Sequence, residues 1–258
     1  MTLAGKWQNE YGSTMTLVVT GNRVSGIYAS STGSTGEYFV TGWQFPAEPT
    51  ASAGQPVALT IEWHSIVPGT ADPSWHWTSA LGGQISVNGG TETLVLSHLM
   101  VASDDFPGVA TAGTYVDKLT YHRVSAEGGE AQSVALEEGP VEDSLDGQWI
   151  AEDGSELSIE VTPAAENRFG VVNGTLRSSH GTDPVVGLTD INAASGGLDL
   201  QSVSLSVFRQ DGSALVALGG MLDLESEQLN LETLINRSTA SDATYLQTEL
   251  APMRFARN

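Results

Sequence analysis

Asn9, Tyr11 and Ser13 alternate with Trp7 in the stretch Gly5-Lys6-Trp7-Gln8-Asn9-Glu10-Tyr11-Gly12-Ser13-Thr14, and in an extended chain every second side chain points to the same face. A face that mixes an indole with an amide, a phenol and a hydroxyl makes a poor core, because each buried polar atom must find a partner. It suits a pocket lining, where polar groups on a rigid strand meet those of a small molecule. A second version, Leu145-Asp146-Gly147-Gln148-Trp149-Ile150-Ala151-Glu152-Asp153-Gly154-Ser155, keeps the Gly, Trp, Gly and Ser. It puts Ala151 and Asp153 where Asn9 and Tyr11 stand, so the binding chemistry is expected in the first copy only.

Catalytic chemistry finds little support. The five His, at 64, 76, 98, 122 and 180, include no pair at metal-ligand spacing. No nucleophile elbow and no phosphate-binding glycine loop occurs. Cysteine is absent, which removes disulfides, thiolate zinc sites and a catalytic thiol. With 31 acidic residues against 10 Lys and Arg, the formal charge of -21 repels nucleic-acid phosphates and anionic lipid headgroups. No apolar run reaches the roughly 20 residues of a membrane helix. A non-enzymatic binder with neither nucleic acid nor membrane as partner is expected, needing no cofactor and no metal.

The elements that position these residues are strands. Met15, Leu17 and Val19 alternate with Thr14 and Thr16, and Val57, Leu59, Ile61 and Trp63 alternate with Thr60 and Glu62. Eight strands are predicted near residues 5–10, 13–20, 23–31, 36–44, 55–64, 75–85, 92–101 and 114–124, joined by Gly-, Pro- and Asn-rich turns. An up-and-down antiparallel sheet of this size closes on itself and so removes its edges. Residues 126–144 break the rhythm as an acidic linker. Eight more strands follow near 147–152, 155–162, 168–178, 183–191, 198–208, 213–222, 228–235 and 243–255. Ala80-Leu81-Gly82-Gly83 recurs as Ala217-Leu218-Gly219-Gly220, and Thr114-Tyr115 as Thr244-Tyr245. The chain therefore reads as all-β: two tandem eight-stranded barrels, residues 1–125 and 145–258, from a degenerate duplication.

Over residues 3–124 the sequence resembles the avidin and streptavidin family of biotin-binding barrels. The motifs are the 5–14 stretch, Ser-Gly-Ile-Tyr-Ala-Ser at 25–30, Tyr-Phe-Val-Thr-Gly-Trp at 38–43, Leu-Thr-Ile-Glu-Trp at 59–63, Trp-Thr-Ser-Ala at 77–80 and Tyr-Val-Asp-Lys-Leu at 115–119. The resemblance implies that Asn9, Ser13 and Tyr28 donate to the ureido oxygen of biotin, and that Ser30 and Asp117 accept from its two N–H groups. It implies aromatic walls at Trp63 and Trp77, with Trp75 and Leu96 also in the lining, and Tyr11 at the same end. Thr32 and Ser34 are offered to a ligand carboxylate, and His64 and His76 to the rim. Leu94 stands where a third wall Trp is usual, and Val109 near a Trp that reaches into a neighbouring subunit's pocket. High-affinity binding of biotin, or of a biotin-like urea, is expected, below the family's extreme.

In the second half Leu176 answers Tyr28, Phe208 answers Trp63, Ala214 answers Trp77 and Gln247 answers Asp117; only Ser155 and Ser178 survive. That barrel is expected to lack a biotin site and to act as scaffold or oligomerisation partner. The alternatives are a structural protein with two ligand-free barrels, or a binder of another small molecule. The segment 93–101 is apolar on both faces, so its outer face is expected against another barrel, giving a pseudo-dimer within the chain or a dimer of two-barrel chains. The resemblance favours a secreted or periplasmic protein, although the first strand begins too soon after Met1 for a signal peptide.

Overall fold

A computed structural model describes the chain apart from residues 1–2, 32–34, 68–75, 105–111, 128, 130–134, 137–141, 165, 167 and 246–247. The first eight strands are β1 Gly5–Asn9, β2 Thr14–Thr20, β3 Arg23–Ser30, β4 Gly36–Gln44, β5 Gln55–Glu62, β6 Trp77–Asn88, β7 Thr91–Ala102 and β8 Gly113–Ser125. The second eight are β9 Gly147–Ala151, β10 Glu156–Pro163, β11 Gly170–Ser178, β12 Gly181–Thr189, β13 Leu200–Phe208, β14 Leu215–Asp223, β15 Gln228–Asn236 and β16 Thr248–Arg257. Each set pairs antiparallel in chain order and closes into a barrel, through β1–β8 and β9–β16. Among the described residues no helix is long and apolar enough to cross a membrane.

Among the described residues sixteen strands match the sixteen expected, with differences at the ends. β6 starts at Trp77 and runs to Asn88, because the Asn88-Gly89-Gly90 turn lets both strands pair up to Asn88↔Thr91. β16 begins at Thr248, five residues later than the apolar pattern suggests.

The same plug closes one end of each barrel. Trp7 is fully buried, its Nε1–H donates to the Leu3 carbonyl at 2.8 Å, and the Arg123 guanidinium lies 4.2 Å over its ring. Trp149 repeats this with the Leu145 carbonyl at 2.9 Å and Arg257 at 4.5 Å. Each Arg binds a carbonyl at the strand entry, Ala4 or Asp146, so the cation contributes both a cation–π contact and a hydrogen bond. Above the plugs lie two separate cores, one around Leu17, Val40, Leu59 and Tyr121, the other around Ile159, Val172, Leu205 and Leu231.

The repeated Ala-Leu-Gly-Gly motif has a structural reason. Leu81 and Leu218 point into their own cores, while Ala80 and Ala217 point outward into a shared cluster with Ala58, Leu99, Leu215 and Leu234. Gly82 and Gly219 let the faces approach. A Cβ on Gly219 would stand 3.1 Å from Ala80 Cβ, and one on Gly82 would stand 2.4 Å from the Asn236 amide nitrogen. The outer face of the 93–101 segment thus packs on the second barrel through Leu99 and Val101.

Aromatic and polar contacts extend this interface. Trp43 packs against Phe208 at 5.6 Å, its Nε1–H donating to the Ser206 carbonyl at 3.2 Å. Phe39 stacks on Phe169 at 6.3 Å. The strap Ser238–Ser241 of the second barrel lies along the first: Gly54 N–H donates to the Thr239 carbonyl at 2.6 Å and Ser241 N–H to the Ala51 carbonyl at 3.0 Å. Gln84 Oε1 accepts from Thr239 N–H at 3.0 Å.

Gly219→Val is expected to overpack this interface and destabilise the chain by about 1 to 3 kcal/mol, read as a lower urea midpoint. An unchanged midpoint would show that the faces are not in close contact.

Candidate ligand-binding site

The site lies at the barrel end opposite Trp7, where the β1–β2, β3–β4, β5–β6 and β7–β8 connections emerge. Asn9 is the last residue of β1 and buried. Its Oδ1 accepts the N–H groups of Tyr11 at 3.1 Å and Ser13 at 2.9 Å, closing a tight turn at Gly12, whose φ of 89° suits glycine. The carbonyl end of the amide is thereby engaged, leaving its N–H2 end for the barrel interior. Ser13, also buried, accepts the Ser31 N–H at 3.2 Å through Oγ.

Tyr28, opposite Met15 on the neighbouring strand, packs edge-on against Trp63 with ring centroids 5.6 Å apart. Tyr38 meets the same indole at 4.9 Å. Trp77, the first residue of β6, is buried in the same cluster, and Leu96 lies fully buried below. Asn9, Ser13, Tyr28, Trp63, Trp77 and Leu96 are therefore brought to one interior. Ser30 is half-buried at the end of β3. Thr32, Ser34, Trp75 and Val109 lie outside the described residues.

Two expected lining residues sit elsewhere. Tyr11 is 55% exposed, because β1 stops at Asn9 and the turn breaks the two-residue alternation that aligned Tyr11 with it. Asp117 keeps the inward parity of Leu119 and Tyr121 but is exposed at the rim, with Oδ1 accepting its neighbour's Lys118 N–H at 2.7 Å. At about 3.3 Å per residue, it stands about 13 Å along β8 from Tyr121, which pairs directly with Asn9. The buried inward position between them is Leu119.

Three polar groups of this interior escaped the sequence reading. Tyr121 is fully buried beside the Asn9 amide and Tyr28 hydroxyl; burial and the neighbouring Tyr28 push its phenol well above the usual range, so it stays a donor. Ser79, one turn of the pleat beyond Trp77, accepts the Trp63 Nε1–H at 2.8 Å and lies 2.8 Å from His98 Nε2. Burial pulls His98 down to about 4, against the opposing pull of Asp117. Leu94, by contrast, lies deeper, opposite Tyr121 and Ile85, so His98 and not Leu94 forms the β7 wall beside Trp63. The available signal was parity: His98 alternates in step with Leu94 and Leu96.

The second barrel builds the same turn by other means. Ala151 N–H donates to the Ser155 carbonyl at 2.9 Å, matching Asn9 to Ser13, but the Ser155 N–H is capped by Asp153 Oδ1 at 2.9 Å. The cap has moved from the interior position into the turn, which frees position 151 to be apolar. Leu157 and Leu176 pair where Met15 and Tyr28 do. Phe208 is not the counterpart of Trp63: Val203, Leu205 and Val207 fill the interior, so Phe208 points outward to Trp43. Ala214 and Ser155 are buried, Ser178 is half-buried, and Gln247 lies outside the described residues.

On the outer side of the walls lies a charged cluster. Glu62 is fully buried, 2.7 Å from His64 Nδ1, and accepts the His64 N–H at 2.8 Å. His76 Nδ1 is 2.5 Å from Asp190 of the second barrel. Burial lowers the His64 affinity for protons, but Glu62 and Asp190 outweigh it and push His64 up to about 9; burial also raises Glu62. Among the described residues no group of three or more His, Asp or Glu is placed to hold a metal ion.

A closed antiparallel eight-stranded barrel whose interior carries polar and aromatic side chains near one open end belongs to a fold class that can hold one small ligand. Residues 1–124 match the model of the avidin family; the N-terminal barrel is avidin-like, and the second is a degenerate repeat of it. A crystal structure of Xenavidin matches at 23% identity and a TM-score of 0.38, over 48% of this chain and 97% of that one. No curated protein matches the sequence.

Native His64 binds its proton more tightly than in the unfolded chain, so its contribution to stability falls as pH rises from about 6.5 toward 9, and burial of Glu62 raises its affinity for protons and acts in the same direction. His98 has the opposite sign: its contribution is complete above about pH 6.5 and is lost as pH falls through about 4. Relative to wild type, His98→Gln is expected to flatten the acid limb of a melting-temperature profile, and Glu62→Gln/His64→Gln the alkaline limb. Parallel profiles for all three proteins would contradict both assignments.

Proposed function

We propose that the N-terminal barrel binds one biotin, or a biotin-like cyclic urea, per chain without turnover, and that the second barrel is its scaffold. The observation that carries this reading is the convergence of Asn9, Ser13 and Tyr28, with Tyr121 behind them, beside Trp63. The Asn9 amide and the Tyr28 phenol lie beside the Tyr121 hydroxyl, and the Ser13 hydroxyl beside Ser31, so these are the donors offered to a ligand that enters the barrel. A urea oxygen with two lone pairs and partial negative charge is the acceptor such a set fits, and donors fixed before binding avoid the entropic cost of assembling them. Trp63, Trp77 and Leu96 then cover the apolar part of the ligand, where desolvation supplies the larger share of affinity.

The urea N–H groups need acceptors. Ser30 is the acceptor near the floor, while Asp117 acts from the rim and reaches the ligand only on its outer side. This arrangement supports binding weaker than a carboxylate set at the floor would give, since hydrogen bonds to charged groups contribute about 1.5 to 3 kcal/mol against about 1 for neutral ones. The rival reading is a ligand-free structural pair of barrels. It draws on the Asn9 turn cap, which gives that residue a role without any ligand.

Isothermal titration with biotin separates the two. A stoichiometry near one per chain is expected; a value near two would overturn the assignment of the second barrel as scaffold, and no heat would select the ligand-free reading. Tyr28→Phe is expected to weaken biotin by about 0.5 to 1.5 kcal/mol, one neutral hydrogen bond. Equal affinity in this variant would place the ligand elsewhere.

A further inference from the structure

We propose that Asp190, from the second barrel, is a positioning residue for the ligand pocket of the first: through His76 it fixes the wall formed by Trp77 and Trp63. The proposal rests on the pocket assigned above. Asp190 lies just past the end of β12 and is completely buried. One oxygen holds His76 Nδ1 at 2.5 Å and the other accepts the Asn192 N–H at 2.8 Å, so the carboxylate is itself held in place. The remaining edge of the imidazole faces Gly196 of the same connection, where a Cβ would come within 3.2 Å of His76 Cε1. A loop of the second barrel therefore clasps His76 on two sides, and the glycine makes room for the ring.

His76 immediately precedes Trp77. Its carbonyl is bound by the Ser103 hydroxyl at 2.5 Å, and the Trp77 carbonyl accepts the Trp63 N–H at 3.1 Å. Backbone and side chain are thus both fixed at the residue from which the wall departs. The other end of the β5–β6 connection is held likewise: Arg168 of the second barrel donates through Nη1 to the Ser65 carbonyl at 2.8 Å. Two contacts from one barrel set the separation of the two chain ends that carry Trp63 and Trp77. A 1 Å displacement of either ring would open a gap at the ligand, where dispersion contacts fall off steeply with distance.

This gives the second barrel a task that needs no ligand of its own. A buried carboxylate–imidazole contact is not required for mere adhesion, since the apolar interface already supplies that; burying a carboxylate is costly unless its geometry is fully satisfied. The pair sits where its directionality counts, at the base of a pocket wall.

The test uses the full chain with Asp190→Ala and the milder Asp190→Asn, which keeps an acceptor for His76. Asp190→Ala is expected to raise the biotin dissociation rate about tenfold or more and to change the near-ultraviolet dichroism of the tryptophans, with Asp190→Asn in between. His76→Ala/Asp190→Ala is expected to be no worse than Asp190→Ala alone, as for residues acting through one contact. A merely structural role would lower the melting temperature and leave the dissociation rate and dichroism unchanged, which would overturn the proposal. Should wild type give no heat with biotin, the pocket reading fails by itself. The positioning claim is then decided by amide exchange at Trp77–Ser79: faster exchange in Asp190→Asn upholds it, and exchange equal to wild type overturns it.

Discussion

The close approach of the two barrels is the constraint on which the rest of the structure depends. Ordinary face-to-face sheets stand about 10 Å apart with side chains interleaved. Here Ala58, Ala80, Ala217, Gly82 and Gly219 remove most of that bulk. The gain is more than buried area: with the faces this close, loops at the end of one barrel meet the open end of the other. The Asp190–His76 contact, the Arg168–Ser65 contact and the 238–241 strap all occur at the borders of the small-residue face.

The packing also runs antiparallel. Residues 190–196 leave the plugged end of the second barrel and meet His76 at the open end of the first; Phe45 leaves the plugged end of the first, and a Cβ on Gly212 at the open end of the second would stand 4.0 Å from its ring. These are matching connections of the two repeats, so the contact is isologous in form although both halves belong to one chain. Each barrel's closed end braces the other's open end. The open end is where strands diverge and where ladder hydrogen bonds give way to loops, so bracing acts where a barrel alone is least constrained.

The strand order, the duplication and most of the interior were legible in the sequence because alternation with period two is a strong signal when one face is buried. Met15, Leu17, Leu59 and Trp63 lie where that alternation puts them. It failed where the chain leaves the strand. Tyr11 obeys the parity on paper but stands in a turn that Asn9 itself closes, and Asp117 obeys it on a strand that already projects into solvent. Phe208 was misplaced for a related cause: a one-residue offset at a strand end moves a side chain to the opposite face. The Ser79–His98 pair and the Asp190–His76 contact were out of reach for a different reason, since each joins residues on separate strands or separate barrels. No local pattern records such a meeting.

Among the described residues the Asp190–His76 contact has no mirror image. In a dimer of identical barrels any residue placed at an interface occurs twice, and a change that suits one pocket is imposed on the other. Linking two copies in one chain lifts that restriction: Asn9 can remain while its counterpart becomes Ala151, and an acid can be kept on one side alone. Each half can then diverge on its own, much as two parts of one instrument can be shaped separately. The covalent link also fixes the ratio of the two parts at any dilution, so the asymmetry cannot be lost by exchange of subunits.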